Sequence, residues 1–360
     1  MNMRDGCSVL HIIFLNLEGK EMKVLFIGGT GVISTEVSKL AIEQGVDLYL
    51  FNRNTRSDFV AEGAKVIKGD IRNEESAARI LKNYEFDVVV DWIAYTKEHV
   101  EQDIKLFKGR TGQFIFISSA SAYEKPAKSY LITEKTPLAN PYWEYSRNKI
   151  ECENLLYEEY RKNGFPITIV RPSHTYGVTS IPAAFNSKVY RWSIIERMKR
   201  GKKIVVPGDG TSLWVLTHSS DFAKAFVGLL GNAKAIGEDF QITSDEVLNW
   251  NRITNLVGEA VGIKPEIVHM STDFITSCLP EYSGELYGDK SESVCFDNSK
   301  IKALVPGFKA TKPFSEGIKE SIEWYLKHPE NMKLDEEWDR TCDRLIAAHE
   351  AGINAFRINL

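Results

Sequence analysis

The chain has 360 residues, 43% of them hydrophobic and 26% charged, and a formal net charge of −4. This is the composition of a soluble globular protein, long enough for two lobes and a large core. The mild acidity gives no basic footprint for nucleic acid, and no apolar run reaches the length of a membrane-spanning helix.

Five cysteines (Cys7, Cys152, Cys278, Cys295 and Cys342) are scattered without a C-x-x-C spacing. They read as reduced thiols of a cytoplasmic protein. The seven histidines show no H-E-x-x-H spacing, so no metal is expected. Residues 1–22 precede the first strand. The apolar run over 9–15 is short and has no small-residue cleavage site after it, so an N-terminal extension without catalytic role is expected rather than a signal peptide.

Residues 24–27 are apolar and end abruptly in Gly28-Gly29-Thr30-Gly31. Val32, Ile33, Val37, Leu40 and Ala41 then recur at helical spacing. The pattern is strand, tight turn, helix. Glycines let the backbone turn sharply and let a phosphate approach without meeting a Cβ, and the helix start offers unpaired N–H groups and a positive dipole end. By itself the spacing Gly28-x-x-Gly31-x-x-Ser34 also fits an ordinary glycine-rich turn. Further strands are expected at 46–51, 64–68, 86–91, 113–118 and 166–171, with helices at 36–44, 74–83, 99–107 and 149–163. Such alternation predicts an α/β fold, a Rossmann-type doubly wound parallel sheet, with the ligand crevice beyond the carboxyl ends of the strands.

The residues just after each strand therefore carry the functional reading. After the second strand, neutral Asn52 with Arg53, and Arg56 close behind, suits a 2′-phosphate and favours NADP over NAD; a solvated loop charge is the plain alternative for Arg53. After the fifth come Ser118, Ser119, Ala120 and Ser121, and later Tyr145-Ser146-Arg147-Asn148-Lys149. Tyr145 and Lys149, four apart, share a helix face. An ammonium beside a phenol favours the phenolate and draws its pKa from about 10 toward neutrality. Such a tyrosine can exchange a proton with a hydroxyl or carbonyl, and Ser119 can hold the substrate oxygen in place.

With the glycine turn, these residues resemble the extended short-chain dehydrogenase/reductase group, the NAD-dependent epimerase/dehydratase family. Val170-Arg171-Pro172-Ser173-His174-Thr175-Tyr176-Gly177 resembles its Arg-Pro-x-x-x-Tyr-Gly segment, and 206–210, 218–223, 296–301 and 314–318 resemble its later motifs. The resemblance runs from about residue 23 to 328. It implies an NAD(P) site of Gly28, Thr30, Gly31, Val32, Ile33, Asn52, Arg53, Asp70, Ile71, Ile93, Ala94, Ser118, Lys149 and Pro172. It also implies catalysis by Ser119, Tyr145 and Lys149. Asp70 and Ile71 would meet the adenine, and the backbone after Pro172 the nicotinamide carboxamide. Asp221 is expected to cap a helix, and His218 to be structural at that helix start. A homodimer through the helix that carries Tyr145 is implied as well.

The chain also departs from the pattern. Nucleotide-sugar members commonly carry an asparagine after the sixth strand and an arginine after the Gly-Asp-Gly loop, both meeting a diphosphate. The matching positions here are His174 and Trp214, and tryptophan cannot replace that charge. A nucleotide sugar stays open beside a smaller sugar stacked on Trp214. Tyr95, Ser121, His174 and Trp214 are the candidate substrate contacts; a wall histidine is the alternative for His174. The glycine turn and Phe51-Asn52-Arg53 also resemble the atypical branch that includes chloroplast stem-loop-binding proteins.

The expected organisation is an extension (1–22), a cofactor domain (23–177 plus 208–244), a substrate lobe (178–207 plus 245–345) and a tail (346–360). The stretch from 329 onward reads as an added helix packed on the small lobe or on a partner subunit. The leading expectation is an NAD(P)-dependent sugar epimerase or dehydratase acting on a small-molecule substrate, without nucleic acid or membrane. A carbonyl or sugar reductase, and a non-catalytic dinucleotide-sensing or RNA-binding member of the same fold, are the alternatives.

Overall fold

Seven parallel strands form the central sheet in the computed structural model, which describes residues 19–358. They are β1 (Lys23–Ile27), β2 (Asp47–Asn52), β3 (Lys65–Lys68), β4 (Phe86–Asp91), β5 (Thr111–Ile117), β6 (Ile167–Pro172) and β7 (Asp239–Ile242), in the order β7-β6-β5-β4-β1-β2-β3. Chain order reverses between β1 and β4, which opens a crevice at their carboxyl ends. The extension expected over residues 1–22 lies outside the described residues up to Leu17-Glu18; Met22 is buried and its carbonyl accepts from Asp47 N–H.

Alternation along the strands builds two apolar layers. Val24, Phe26, Val88 and Val90 face one side, under α1 (Val32–Glu43) and α5 (Ser219–Val227). Leu25, Ile27, Val89, Phe114 and Phe116 face the other, under α2 (Glu74–Leu81), α3 (Lys97–Phe107) and α4 (Glu144–Asn163). Burial on both faces explains why β4 reads as a continuous apolar run. Helix α4 starts at Glu144 rather than 149, so Tyr145 lies in its first turn; that turn is polar and carries no apolar period to announce it. Gly164, with φ +69°, ends it in the left-handed conformation.

A second core gathers around α6 (Trp250–Ala260), α7 (Phe314–Lys327) and α8 (Glu336–Ile358), where Trp192, Trp214, Trp250, Phe314 and Trp338 are buried together. Helix α8 packs Trp338, Cys342, Leu345 and Ile346 into this core. Its acidic first turns hold Arg197 and Lys202 through Asp339 and Asp343 at 2.6–2.7 Å. The α5 helix is capped by the His218 side chain, which accepts from Ser220 N–H, and not by Asp221. Asp221 instead accepts from Lys224 and from Lys312 N–H, tying α5 to the approach to α7.

Behind the strand ends, Arg171 on β6 forks onto Glu153 of α4 at 2.9 and 2.5 Å and reaches Asp239 of β7 at 2.5 Å. Glu153 is fully buried, and Ser118 also donates to it. Removing one partner of such a pair strands a buried charge. Glu153→Ala should therefore destabilise the fold by about 3–5 kcal/mol in urea titration, whereas Glu153→Gln, which keeps an acceptor for Arg171, should cost less.

Candidate active site

Two cavities meet at Tyr145. The first, of about 680 Å³, runs along the carboxyl edge of β1–β5 and β6. Gly28, Thr30, Gly31, Val32, Ile33, Asn52, Arg53, Asp70, Ile71, Ile93, Ser118, Lys149 and Pro172 all line it. Ala94 is fully buried behind it and contributes only its carbonyl, which accepts from Lys149. Tyr95, expected at the substrate, lines this cleft instead. The turn after β4 carries its ring back toward Lys149, whose Nζ lies 4.8 Å from the ring centroid.

The glycine turn is built for close approach. Gly28 and Gly29 sit at φ +98° and +88°. A Cβ on Gly28 would lie 3.1 Å from Ile93 Cγ2, and one on Gly29 would lie 2.6 Å from Leu50 Cδ2. Ser34, the third small residue, accepts from Gly31 N–H at 2.9 Å. Asn52 donates to Gly28 O at 3.0 Å and accepts from Asn54 N–H at 2.8 Å, so its amide braces the turn. Ser118 lines the cleft while turning its hydroxyl inward to Glu153. A glycine floor without side chains, facing the start of α1, fits the pyrophosphate of a dinucleotide. Arg72 also lines the cleft and donates to Ile93 O; no motif in the sequence marks it.

Lys149 is buried and donates to Ala94 O at 2.6 Å and to Ile117 O at 2.7 Å, bridging the ends of β4 and β5. Burial lowers its pKa to about 8, and nearby anions oppose that only in part. Its Nζ lies 5.7 Å from the Tyr145 ring centroid. The expected drift of Tyr145 toward neutrality is not found: burial pushes the phenol up to about 12, and the Ser119 hydroxyl pulls the other way. The ring is packed between Trp143 and Tyr95, which removes it from water.

The second cavity, of about 520 Å³, lies between the sheet and the second core. Ser119, Ser121, Tyr145, His174 and Trp214 line it together. Ser119, Ser121 and Ser146 form a hydroxyl chain at 2.9 and 2.8 Å. Trp214 is only 1% exposed and packs on Trp250, so it offers no open stacking face. Its Nε1 donates to His174 Nδ1 at 3.2 Å. Burial lowers the His174 pKa to about 3, which keeps the ring neutral with its other nitrogen as a donor. Lys125, Glu285, Asp289 and Lys290 also line the cavity, and burial raises the Asp289 carboxyl to about 6. None of these four stood out in the sequence, because they come from a loop and from the 283–290 segment with no motif between them. Gly28→Ala would need a strained positive φ and crowd Ile93; it should weaken NADH binding by at least about tenfold in a fluorescence titration.

Comparisons with known proteins agree with the fold. The NAD dependent epimerase/dehydratase family model matches residues 24–243. The chloroplast stem-loop binding protein of 41 kDa b of Arabidopsis thaliana is 30% identical over 263 residues, covering 69% of this chain and 66% of that protein. UDP-glucose 4-epimerase of Lactobacillus helveticus is 23% identical over 87% of this chain and 99% of its own. The structure of UDP-glucose 4-epimerase of Thermotoga maritima superposes with a TM-score of 0.67 at 21% identity, over 86% of this chain and all of that one. A glycine turn open to a pyrophosphate, a seven-stranded sheet and a match over most of the cofactor half lead to one assignment: the chain belongs to the NAD dependent epimerase/dehydratase family of enzymes.

Proposed function

We propose that the chain is a sugar epimerase or dehydratase in which Tyr145 exchanges a proton with a substrate oxygen, Ser119 orients that oxygen, and Lys149 supplies positive charge beneath the phenol. One observation carries the reading: Tyr145 lines both cavities, with Ser119 on the inner side and Lys149 on the cleft side. A bound dinucleotide supplies hydride exchange. Tyr145 would take up the hydroxyl proton as the substrate is oxidised and return a proton as the resulting carbonyl is reduced. Neutral His174 and the Ser119–Ser121–Ser146 chain offer hydrogen bonds suited to sugar hydroxyls. The relatives named for UDP- and dTDP-glucose support a nucleotide-linked sugar as the first substrate to try. A homodimer through α4, implied by the family resemblance, completes this reading.

The test incubates the protein with NAD or NADP and UDP-glucose, dTDP-glucose or free hexoses, following products by NMR and the reduced dinucleotide by absorbance. Epimerisation or dehydration without net change in the reduced dinucleotide supports the proposal; its stoichiometric consumption or formation indicates a reductase or dehydrogenase instead. Tyr145→Phe should lose turnover by about 10²–10⁴-fold while NADH affinity stays unchanged. Turnover retained in that variant rejects the role of Tyr145.

For the cofactor we propose NADP. Support comes from Arg53 and Arg56 lining the cleft beside neutral Asn52, where a 2′-phosphate would be met by guanidinium charge. Arg53→Ala should lower NADPH affinity by about tenfold and leave NADH affinity nearly unchanged, as read by fluorescence titration.

A further inference from the structure

Asp91, the last residue of β4, and Asp103, on α3, have fully buried side chains whose carboxyl groups face each other within hydrogen-bonding approach. Asp91 Oδ1 is occupied: it accepts from Ile93 N–H at 2.5 Å and from Ala94 N–H at 2.8 Å. Asp91 Oδ2 and both oxygens of Asp103 have no hydrogen-bond partner among the described residues. Two ionised carboxylates in contact and away from water would repel each other, and three oxygens would stay unsatisfied. A single proton shared between them removes the repulsion and engages two of the three oxygens, one on each residue.

We propose that Asp103 is a protonated positioning residue: it donates to Asp91 Oδ2, leaves Asp91 Oδ1 to accept from the 93–94 backbone, and through that turn sets the carbonyl that holds Lys149. The assignment of the proton follows from the partners. Asp91 Oδ1 is already engaged by two backbone N–H groups, whereas neither oxygen of Asp103 has a hydrogen-bond partner among the described residues. Burial, then the Asp91 charge, hold the Asp103 carboxyl well above its ordinary range, with Arg72 opposing. The other titratable groups around the pair are His99 on α3, Tyr95 on the turn and Lys149 on α4, each of which feels the Asp91 charge.

The turn has little freedom once Asp91 is fixed. Ile93 O accepts from Arg72, Ala94 O accepts from Lys149 Nζ, and Tyr95 N–H donates to His99 Nδ1 at 3.1 Å. Trp92, Ile93 and Tyr95 are also walls of the dinucleotide cleft. The consequence for Lys149 rests on the role proposed for that residue above; the proton between the carboxyls does not.

Infrared spectra of the full chain at about neutral pH test the proton directly. The C=O stretch of a neutral carboxylic acid should be present in the wild type and absent in Asp103→Asn. NADH titration tests the turn. In Asp103→Asn an amide N–H can still donate to Asp91 Oδ2, so affinity should stay within about twofold of wild type, whereas Asp103→Leu, without a donor, should weaken it by about tenfold or more. Absence of the acid band, Asp103→Asn binding as poorly as Asp103→Leu, or a folded Asp103→Leu with wild-type affinity would each overturn the proposal. Should Asp103→Leu not fold, the infrared comparison and the Asp103→Asn titration decide.

Discussion

A buried ammonium joins the two halves of the site. Lys149 Nζ is held by the carbonyls of Ala94 and Ile117, at the ends of neighbouring strands β4 and β5. Backbone carbonyls are neutral acceptors, so they satisfy the ammonium without cancelling its charge. The charge is thereby kept in a low-dielectric place, where it acts more strongly than on the surface. The cleft wall at Ile93 and Tyr95, the phenol of Tyr145 and the seat of α4 on the sheet all take their positions around that one group.

The two cavities differ in what shapes them. The cleft is made by backbone: a glycine turn, strand ends and a short loop braced by Asn52 and Asp91. Such a surface suits a ligand common to a whole family. The inner cavity is made by side chains from distant segments, with Trp214 locking His174 and Lys290 paired to Glu285 at 3.1 Å. In the proposed function those residues would decide which substrate fits, and they depart from the diphosphate-binding positions that the resemblance implies.

Particular residues tell how much was legible in advance. The glycine turn, Asn52, Asp70 and Pro172 were readable because each follows a strand at a fixed offset, and strands announce themselves by apolar runs. Ser119 was readable for the same reason, and Tyr145 with Lys149 from their four-residue spacing and the family resemblance. Asp103 and Arg72 were not, since a single charged residue on a helix or loop reads as solvated until packing brings another element over it. Trp214 looked like a stacking surface and is instead a buried brace, because Trp250 covers its face. The Tyr145 phenol was expected to acidify; its burial, which no local spacing encodes, raises it instead.

Local pattern alone determined the alternation of the first six strands of the sheet with their helices, the glycine turn after β1 and the i, i+4 spacing of a tyrosine and a lysine. These depend on steric and periodic rules that act over a few residues. The seventh strand, Asp239–Ile242, carried no signal that was read. Only the tertiary structure decided which charges are buried, which carbonyls receive Lys149, that two aspartates meet behind the turn, and which loops close over the inner cavity. Those outcomes depend on desolvation and on contacts between segments far apart in the chain, and neither quantity exists until the chain has folded.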